Sequence, residues 1–154
     1  MSRHSIAAVL IVTVAACARH PEPNPMPSPE LEYLTPYGPL TRPFSPAVRV
    51  GNLIFLSGQI GTSADTRGGL VPGGIEAETR QTLLNIKDVL EKVGSSMERV
   101  AKCTVMMADI AEWDRMNAVY VTFFPNQKPA RSTLGASGLV LGARVEIECI
   151  AVRS

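Results

Sequence analysis

The stretches PARST at residues 129–133 and VEIECIAV at residues 145–152 decide the fold of this chain. Both are predicted to be strands, joined by a link that contains glycine. An arginine and two acids in otherwise apolar strands need a reason, because a buried carboxylate is costly unless it is paired or hydrogen-bonded. Taken alone, the pattern favours an exposed sheet face or an edge strand protected by charge. A strand period of two places Val145, Ile147 and Cys149 on one face, and Glu146, Glu148 and Ile150 on the other.

The N-terminal segment has the composition of a targeting signal. Residues 1–16 carry Arg3 and then an apolar run that is too short to span a bilayer, which is typical of a signal peptide. The sequence VAAC at 14–17 resembles a bacterial lipobox, which predicts that Cys17 is lipidated and becomes the mature N-terminus. The alternative is a simple cleaved signal followed by a coincidental cysteine. The segment predicts an exported, periplasmic protein with a lipid anchor as its membrane contact.

A folded domain is predicted over residues 31–154. Within residues 17–30, proline occupies every second position from Pro21 to Pro29, which predicts an extended spacer after Cys17. Residues 31–45 are rich in turn-forming prolines and are predicted to be a loop. A hairpin follows, with strands at 48–50 and 53–57 around a Gly-Asn turn.

The rest of the domain alternates helices with strands. Apolar residues recur at intervals of three and four from Ile75 to Val93, which predicts a helix with Gly94 as its C-terminal cap. Residues 100–107 are predicted to be a strand. Residues 109–112 resemble a capping box that opens a second helix, with Trp113, Met116, Tyr120 and Phe124 on one face. Pro125 ends that helix.

The predicted order is β-β-α-β-α-β-β, an α+β fold with a mixed sheet and both helices on one face. Nothing else in the chain is available to cover the other face, so self-association into a closed symmetric ring is expected. Cys103 and Cys149 fall in separate strands and are predicted to be buried and reduced, since pairing requires Cα atoms within about 7 Å. The cysteines have no metal-ligand spacing, and no metal site is predicted.

The charge balance argues against nucleic acid as a partner. The chain has 15 basic and 14 acidic residues, and loss of Arg3 with the signal leaves equal numbers. A neutral domain lacks the basic surface that nucleic-acid binding requires. Both histidines precede residue 21, so the domain has no histidine for RNA cleavage.

These motifs together make the chain similar to the RidA family of reactive-intermediate (enamine/imine) deaminases. The resemblance covers residues 43–152 and rests on GNLIFLSGQIG, TLLNIKDVLEKVG, VAKCTVMMADI, RMNAVYVTFF, PARST and VEIECIAV. It implies a chorismate-mutase-like fold, a homotrimeric barrel with active sites in clefts between subunits, and hydrolysis without a cofactor. The implied substrates are small 2-imino acids that carry a carboxylate.

The resemblance also implies roles for individual residues. Arg131 matches the family's substrate clamp, and a guanidinium holds a carboxylate through two parallel hydrogen bonds. Glu146 matches the acid that positions and activates water. Glu148 is interpreted instead as a salt-bridged sheet residue. The implied substrate-binding residues are Arg131, Phe44, Ser57, Gly58, Asn117 and Thr133, with Asn117 equally compatible with a bond across a subunit boundary.

Two residues depart from the family pattern. Phe44 stands where members often have tyrosine, and Thr133 stands where they often have cysteine. Retention of both Arg131 and Glu146 favours a deaminase, while loss of the hydroxyl at Phe44 leaves open a module that binds small carboxylates without turnover.

Overall fold

The computed structural model describes residues 28–154. The predicted signal peptide, Cys17 and most of the proline-rich spacer lie outside the described residues. Over residues 28–154, no helix combines the length and the apolar character that crossing a bilayer requires.

A seven-stranded mixed sheet forms the centre of the domain. Six strands follow the order β1-β2-β3-β7-β5-β6, and the short β4 also pairs with β7. β5 and β6 are parallel, whereas every other pairing is antiparallel. The strands are β1 (Leu31–Leu34), β2 (Ala47–Val50), β3 (Leu53–Leu56), β4 (Gln59–Ile60), β5 (Val100–Met107), β6 (Ala130–Gly135) and β7 (Val145–Val152).

The longer helix, α1 (Gly74–Lys92), lies where the spacing predicts it. Its apolar face is buried against the sheet, with Ile75, Leu83, Ile86 and Leu90 fully buried. The predicted cap at Gly94 is confirmed, because Gly94 has a φ of 79° and the Ser95 N–H donates to the Leu90 carbonyl at 2.8 Å.

The second helix, α2 (Trp113–Tyr120), follows a single helical turn at Ile110–Glu112. Asp109 caps that turn by accepting the Ala111 N–H at 2.9 Å. The prediction of a capping box is only half confirmed, because the Glu112 carboxylate turns away and binds Arg115 and Arg144.

The helices cover one face of the sheet and leave the other open, as predicted. In β7 the alternation is confirmed, with Val145, Ile147, Cys149 and Ala151 buried under α1. On the opposite face of β3, Leu53 and Phe55 are 42% and 40% exposed. Large apolar side chains therefore face away from the core of the protomer.

The structure adds a strand in the segment predicted to be a loop. Leu31–Leu34 forms β1 and pairs with β2, with Tyr33 opposite Val48. Its side chains are mostly exposed, so the backbone ladder to β2 rather than apolar burial places it there. The prolines from Pro36 onward still end the strand.

The prediction that Cys103 and Cys149 are reduced is wrong. They form a disulfide between β5 and β7, with Cα atoms 4.1 Å apart. The register of the two strands places the residues directly opposite each other, and both side chains are buried. This register satisfies the distance condition that the separate strands left undecided.

Candidate functional site

Arg131 lies on the edge strand β6 and points to the side of the sheet that the helices cover. Its Nη1 donates to Oδ1 of Asn117 in α2 at 2.9 Å. The guanidinium carbon lies 4.6 Å from the ring centroid of Tyr120 and 5.6 Å from that of Trp113. Thr133, two residues along β6, shares this face and is half-buried. This arrangement, here called the arginine half, holds a cation among neutral groups.

Arg131 makes no ion pair among the residues that the structure describes. Two other arginines near α2 differ in this respect. Arg115 binds Glu76 and Glu112, and Arg144 binds Glu112 at 2.6 Å. A half-buried guanidinium without a counter-charge is a candidate anion site, because a carboxylate would restore the interactions lost with water.

Glu146 lies on the open face of the sheet, near the start of β7. It is aligned with Ile60 of β4, and its carboxylate packs against the backbone of Gly58. A Cβ at Gly58 would overlap Oε1 of Glu146 and lie 2.9 Å from its Cδ. Only glycine therefore leaves room for this position of the carboxylate. Glu146 and Gly58 form the core of a second arrangement, here called the glutamate half.

Burial raises the pKa of Glu146, and the negative charge of Glu148 raises it further. Glu148 is exposed and two residues away on the same face. Its interpretation as a salt-bridged residue is wrong for residues 28–154, where no cation pairs with it. Glu146 therefore binds a proton more readily than an ordinary glutamate does.

Ser57 precedes Gly58 of the glutamate half, and it binds the segment that carries Phe44. The Ser57 hydroxyl donates to the Ser45 carbonyl at 2.7 Å, and the Ser57 N–H donates to the Pro46 carbonyl at 3.0 Å. These bonds hold the segment that carries Phe44 against the end of β3. Phe44 faces a cavity of about 510 Å³ between this segment and α1, which neither Arg131 nor Glu146 lines.

The two halves lie on opposite faces of the sheet in one protomer. Cys103 is aligned with Arg131 in β6 and with Cys149 in β7, so all three share the face that the helices cover. Glu146 is three residues from Cys149 and therefore faces the other way. The structure does not bring the predicted clamp and the predicted water-activating acid together within one chain.

A buried polar network fixes the start of β7. The Arg144 N–H donates to the buried carboxylate of Glu78 at 2.8 Å, and its side chain binds Glu112. α1 and the helical turn before α2 thus both hold the residue two positions before Glu146. The sequence did not predict this network, since Glu78 sits among the apolar positions of α1.

Tyr120 and Trp113 were predicted only as part of an apolar helix face. Tyr120 is 4% exposed, as a core residue would be, but its ring also faces Arg131. The positions 113, 117 and 120 lie on one face of a helix, so the amide in this row was the available signal. Within residues 28–154, no group of three His, Cys, Asp or Glu side chains is arranged to hold a metal.

Comparison with known proteins identifies relatives over most of the domain. The profile of the family described as endoribonuclease L-PSP matches residues 38–153. The Reactive Intermediate Deaminase A of Arabidopsis thaliana chloroplasts is 41% identical over 109 residues, 71% of this chain and 58% of that protein. The 2-iminobutanoate/2-iminopropanoate deaminase of Mus musculus is 40% identical over 111 residues, 72% of this chain and 82% of that protein.

Solved structures of similar proteins share the fold of this chain. The crystal structure of Escherichia coli TdcF with bound serine superposes with a TM-score of 0.70 at 32% identity, covering 79% of this chain and 98% of that one. The mixed sheet with two helices is therefore the fold of solved members of this group.

Proposed function

This chain belongs to the endoribonuclease L-PSP family, and we propose that it hydrolyses reactive 2-imino acids and their enamine tautomers to 2-oxo acids and ammonia without a cofactor. Relatives about 40% identical to it are named as deaminases of this kind. The observation that carries the proposal is the guanidinium of Arg131, which has a neutral environment and no counter-charge among the described residues. A substrate carboxylate is the anion that this site fits.

The chemistry uses one carboxylate and one water. Glu146 takes a proton from water as the oxygen adds to the imine carbon and passes it to the imine nitrogen, which gives a neutral carbinolamine. Glu146 then takes the proton of the carbinolamine hydroxyl and gives it to nitrogen, so that the C–N bond breaks, ammonia leaves and the C=O bond forms. The raised pKa of Glu146 suits it to both steps, because it holds a proton more easily than an ordinary glutamate.

The complete site is proposed to form between two subunits of a trimer. One subunit supplies the arginine half and its neighbour supplies the glutamate half. The opposite placement of the halves in one protomer and the exposure of Phe55 and Leu53 support this assembly. Light scattering on residues 31–154 tests it, and a monomer at micromolar concentration contradicts it.

Export with a lipid anchor at Cys17 is proposed for the full chain. The signal-like residues 1–16 and the lipobox-like sequence support it, and the Cys103–Cys149 disulfide is of a kind that persists in oxidising compartments. Metabolic labelling with a fatty acid should mark the wild type and leave Cys17→Ser unlabelled. Labelling of both proteins, or of neither, contradicts the proposal.

The deaminase activity is tested by following the hydrolysis of 2-iminobutyrate that an amino-acid oxidase generates in the assay. Enough protein is added for its rate to be measurable above the uncatalysed hydrolysis. We expect release of 2-oxobutyrate and ammonia in equal amounts, faster than the uncatalysed reaction. If the protein binds 2-oxobutyrate but does not accelerate hydrolysis of 2-iminobutyrate, it is a carboxylate-binding module and not a deaminase. No histidine follows residue 20, and residues 17–154 carry equal numbers of basic and acidic residues, which speaks against RNA cleavage.

A further inference from the structure

We propose that Asn117, Tyr120 and Trp113 are positioning residues that orient Arg131 without neutralising it, so that its charge stays available to the carboxylate of the substrate. This inference rests on the proposed clamp function of Arg131. It concerns α2, which supplies all three side chains and touches no reacting atom.

The spacing of the three residues explains how one short helix surrounds the guanidinium. Positions 113, 117 and 120 are separated by four and three residues, so their side chains lie in one row on α2. The row faces the edge strand β6, where Asn117 accepts a hydrogen bond from Nη1 at 2.9 Å. The rings of Tyr120 and Trp113 lie 4.6 Å and 5.6 Å from the guanidinium carbon. The edge of the guanidinium that carries Nη1 is thereby fixed, and the other edge is left for a ligand.

All three partners are neutral at physiological pH. An amide and an indole carry no charge, and burial raises the pKa of Tyr120 to about 12 although the Arg131 charge lowers it. Tyr120 thus presents a ring face and not a phenolate. Its buried hydroxyl has no hydrogen-bond partner among the described residues.

Two other arginines close to α2 have carboxylates as partners. Glu112 binds both Arg115 and Arg144, and Glu76 binds Arg115 through two hydrogen bonds of 2.7 Å. Arg131 alone among these three has an amide where a carboxylate of the same shape would fit. Neutral partners attract a guanidinium more weakly than a carboxylate does, but they leave its full charge for the ligand.

Asn117→Asp separates this proposal from a structural role. The change keeps the shape and the oxygen that accepts from Arg131, and it adds the missing negative charge. We expect the melting temperature to hold or rise, because the half-buried cation gains a partner, while affinity for 2-oxobutyrate falls about tenfold or more. If Asn117 only stabilised the fold, affinity would remain at the wild-type value.

Two readouts report binding independently of turnover. Calorimetry measures the affinity for 2-oxobutyrate directly. Trp113 is the single tryptophan of the chain and is 38% exposed, so its fluorescence should change when a carboxylate reaches Arg131. Asn52→Asp is the matched control, because it makes the same change of charge in the exposed β2–β3 turn, three strands away from β6.

A second pair of variants tests the ring face of Tyr120. Tyr120→Leu removes the face and is expected to raise KM about tenfold with a smaller change in kcat. Tyr120→Phe keeps the face and should recover most of the loss. Equal losses in both variants would assign the effect to the hydroxyl and overturn the role of the ring.

The outcomes distinguish this inference from the deaminase proposal. Wild type that binds 2-oxobutyrate but does not hydrolyse 2-iminobutyrate, with Asn117→Asp unable to bind, refutes the deaminase and supports the positioning role. Wild type and Asn117→Asp that bind equally well refute the positioning role, whether or not the protein is an enzyme. Wild type that binds no 2-oxobutyrate refutes the clamp and the positioning role together.

Discussion

The arginine half and the glutamate half hold side chains of opposite charge in different environments of the same sheet. Arg131 sits at the edge strand among neutral partners and keeps its charge unpaired. Glu146 packs on the bare backbone of Gly58, beside a like charge, and its pKa is raised. Each half is prepared for a group that it lacks, an anion in one case and a proton in the other. The comparison shows that each half contains a titratable or charged side chain without an oppositely charged partner among the described residues.

The largest effect is expected from breaking the glutamate half. Glu146→Gln keeps the shape and removes the base, so kcat should fall about 100-fold to 10,000-fold. Calorimetric affinity for 2-oxobutyrate should stay near the wild-type value, because the clamp is intact. Glu91→Gln makes the same change on the exposed side of α1 and serves as the control. Loss of binding in Glu146→Gln would contradict the division of roles.

Breaking the arginine half should be slightly less severe. Arg131→Lys retains the charge but cannot present two parallel donors from one plane. Loss of a charge-assisted pair costs about 2–5 kcal/mol, which is a fall of about 30-fold to a few thousand-fold in kcat/KM. Binding of 2-oxobutyrate should weaken together with turnover, unlike in Glu146→Gln. Arg80→Lys, on the exposed face of α1, should behave as wild type, and so would Arg131→Lys if the clamp assignment were wrong.

Gly58→Ala tests whether the glutamate half depends on close backbone approach. The added methyl would displace the flexible end of Glu146, so the fold should tolerate it while turnover falls about 100-fold from a shift of about 1 Å. Melting temperature and kcat measured together check this. Gly138→Ala, where a Cβ meets no atom within 4 Å, should change neither. If Gly58→Ala keeps full activity, the assignment of Glu146 to the site is wrong.

The smallest effect is a shift in pH dependence. In the proposed reaction water activation needs the Glu146 carboxylate, whose pKa is raised by burial and then by Glu148. The rising limb of kcat/KM should therefore lie above the ordinary glutamate pKa of about 4.3. Glu148→Gln removes the like charge, lowers the pKa of Glu146, and should move that limb to lower pH. A limb that stays in place, or moves upward, contradicts this coupling.

Local patterns in the sequence predicted the elements of the site but not their contacts. The period of β7 predicted that Glu146 and Ile147 lie on opposite faces of the sheet, and the spacing in α1 predicted its buried face. Both patterns depend only on neighbours along the chain. The disulfide was missed because it depends on the register between β5 and β7, which are 46 residues apart at the two cysteines. Tyr120 was read as core because burial and contact with Arg131 produce the same apolar pattern.

The site itself was only partly predictable. The resemblance selected Arg131 and Glu146, but the opposite faces they occupy follow from the parallel pairing of β6 with β5, which no local pattern in PARST reveals. The sequence is compatible with two roles for Asn117, and its hydrogen bond to Arg131 indicates a third. Partners of a charged side chain depend on packing between distant elements, which residue spacing does not encode.

Mixing two inactive variants tests most directly whether the halves meet across a subunit boundary. Arg131→Ala and Glu146→Gln chains, carrying different tags, are co-expressed, and assemblies with both tags are purified and assayed with 2-iminobutyrate. If neighbouring subunits of a trimer supply the two halves, every assembly that carries both tags has one of its three sites with both residues intact. The account therefore predicts recovery of about a third of wild-type kcat/KM per subunit, while each variant alone stays at background. Mixed assemblies that remain at background would contradict it.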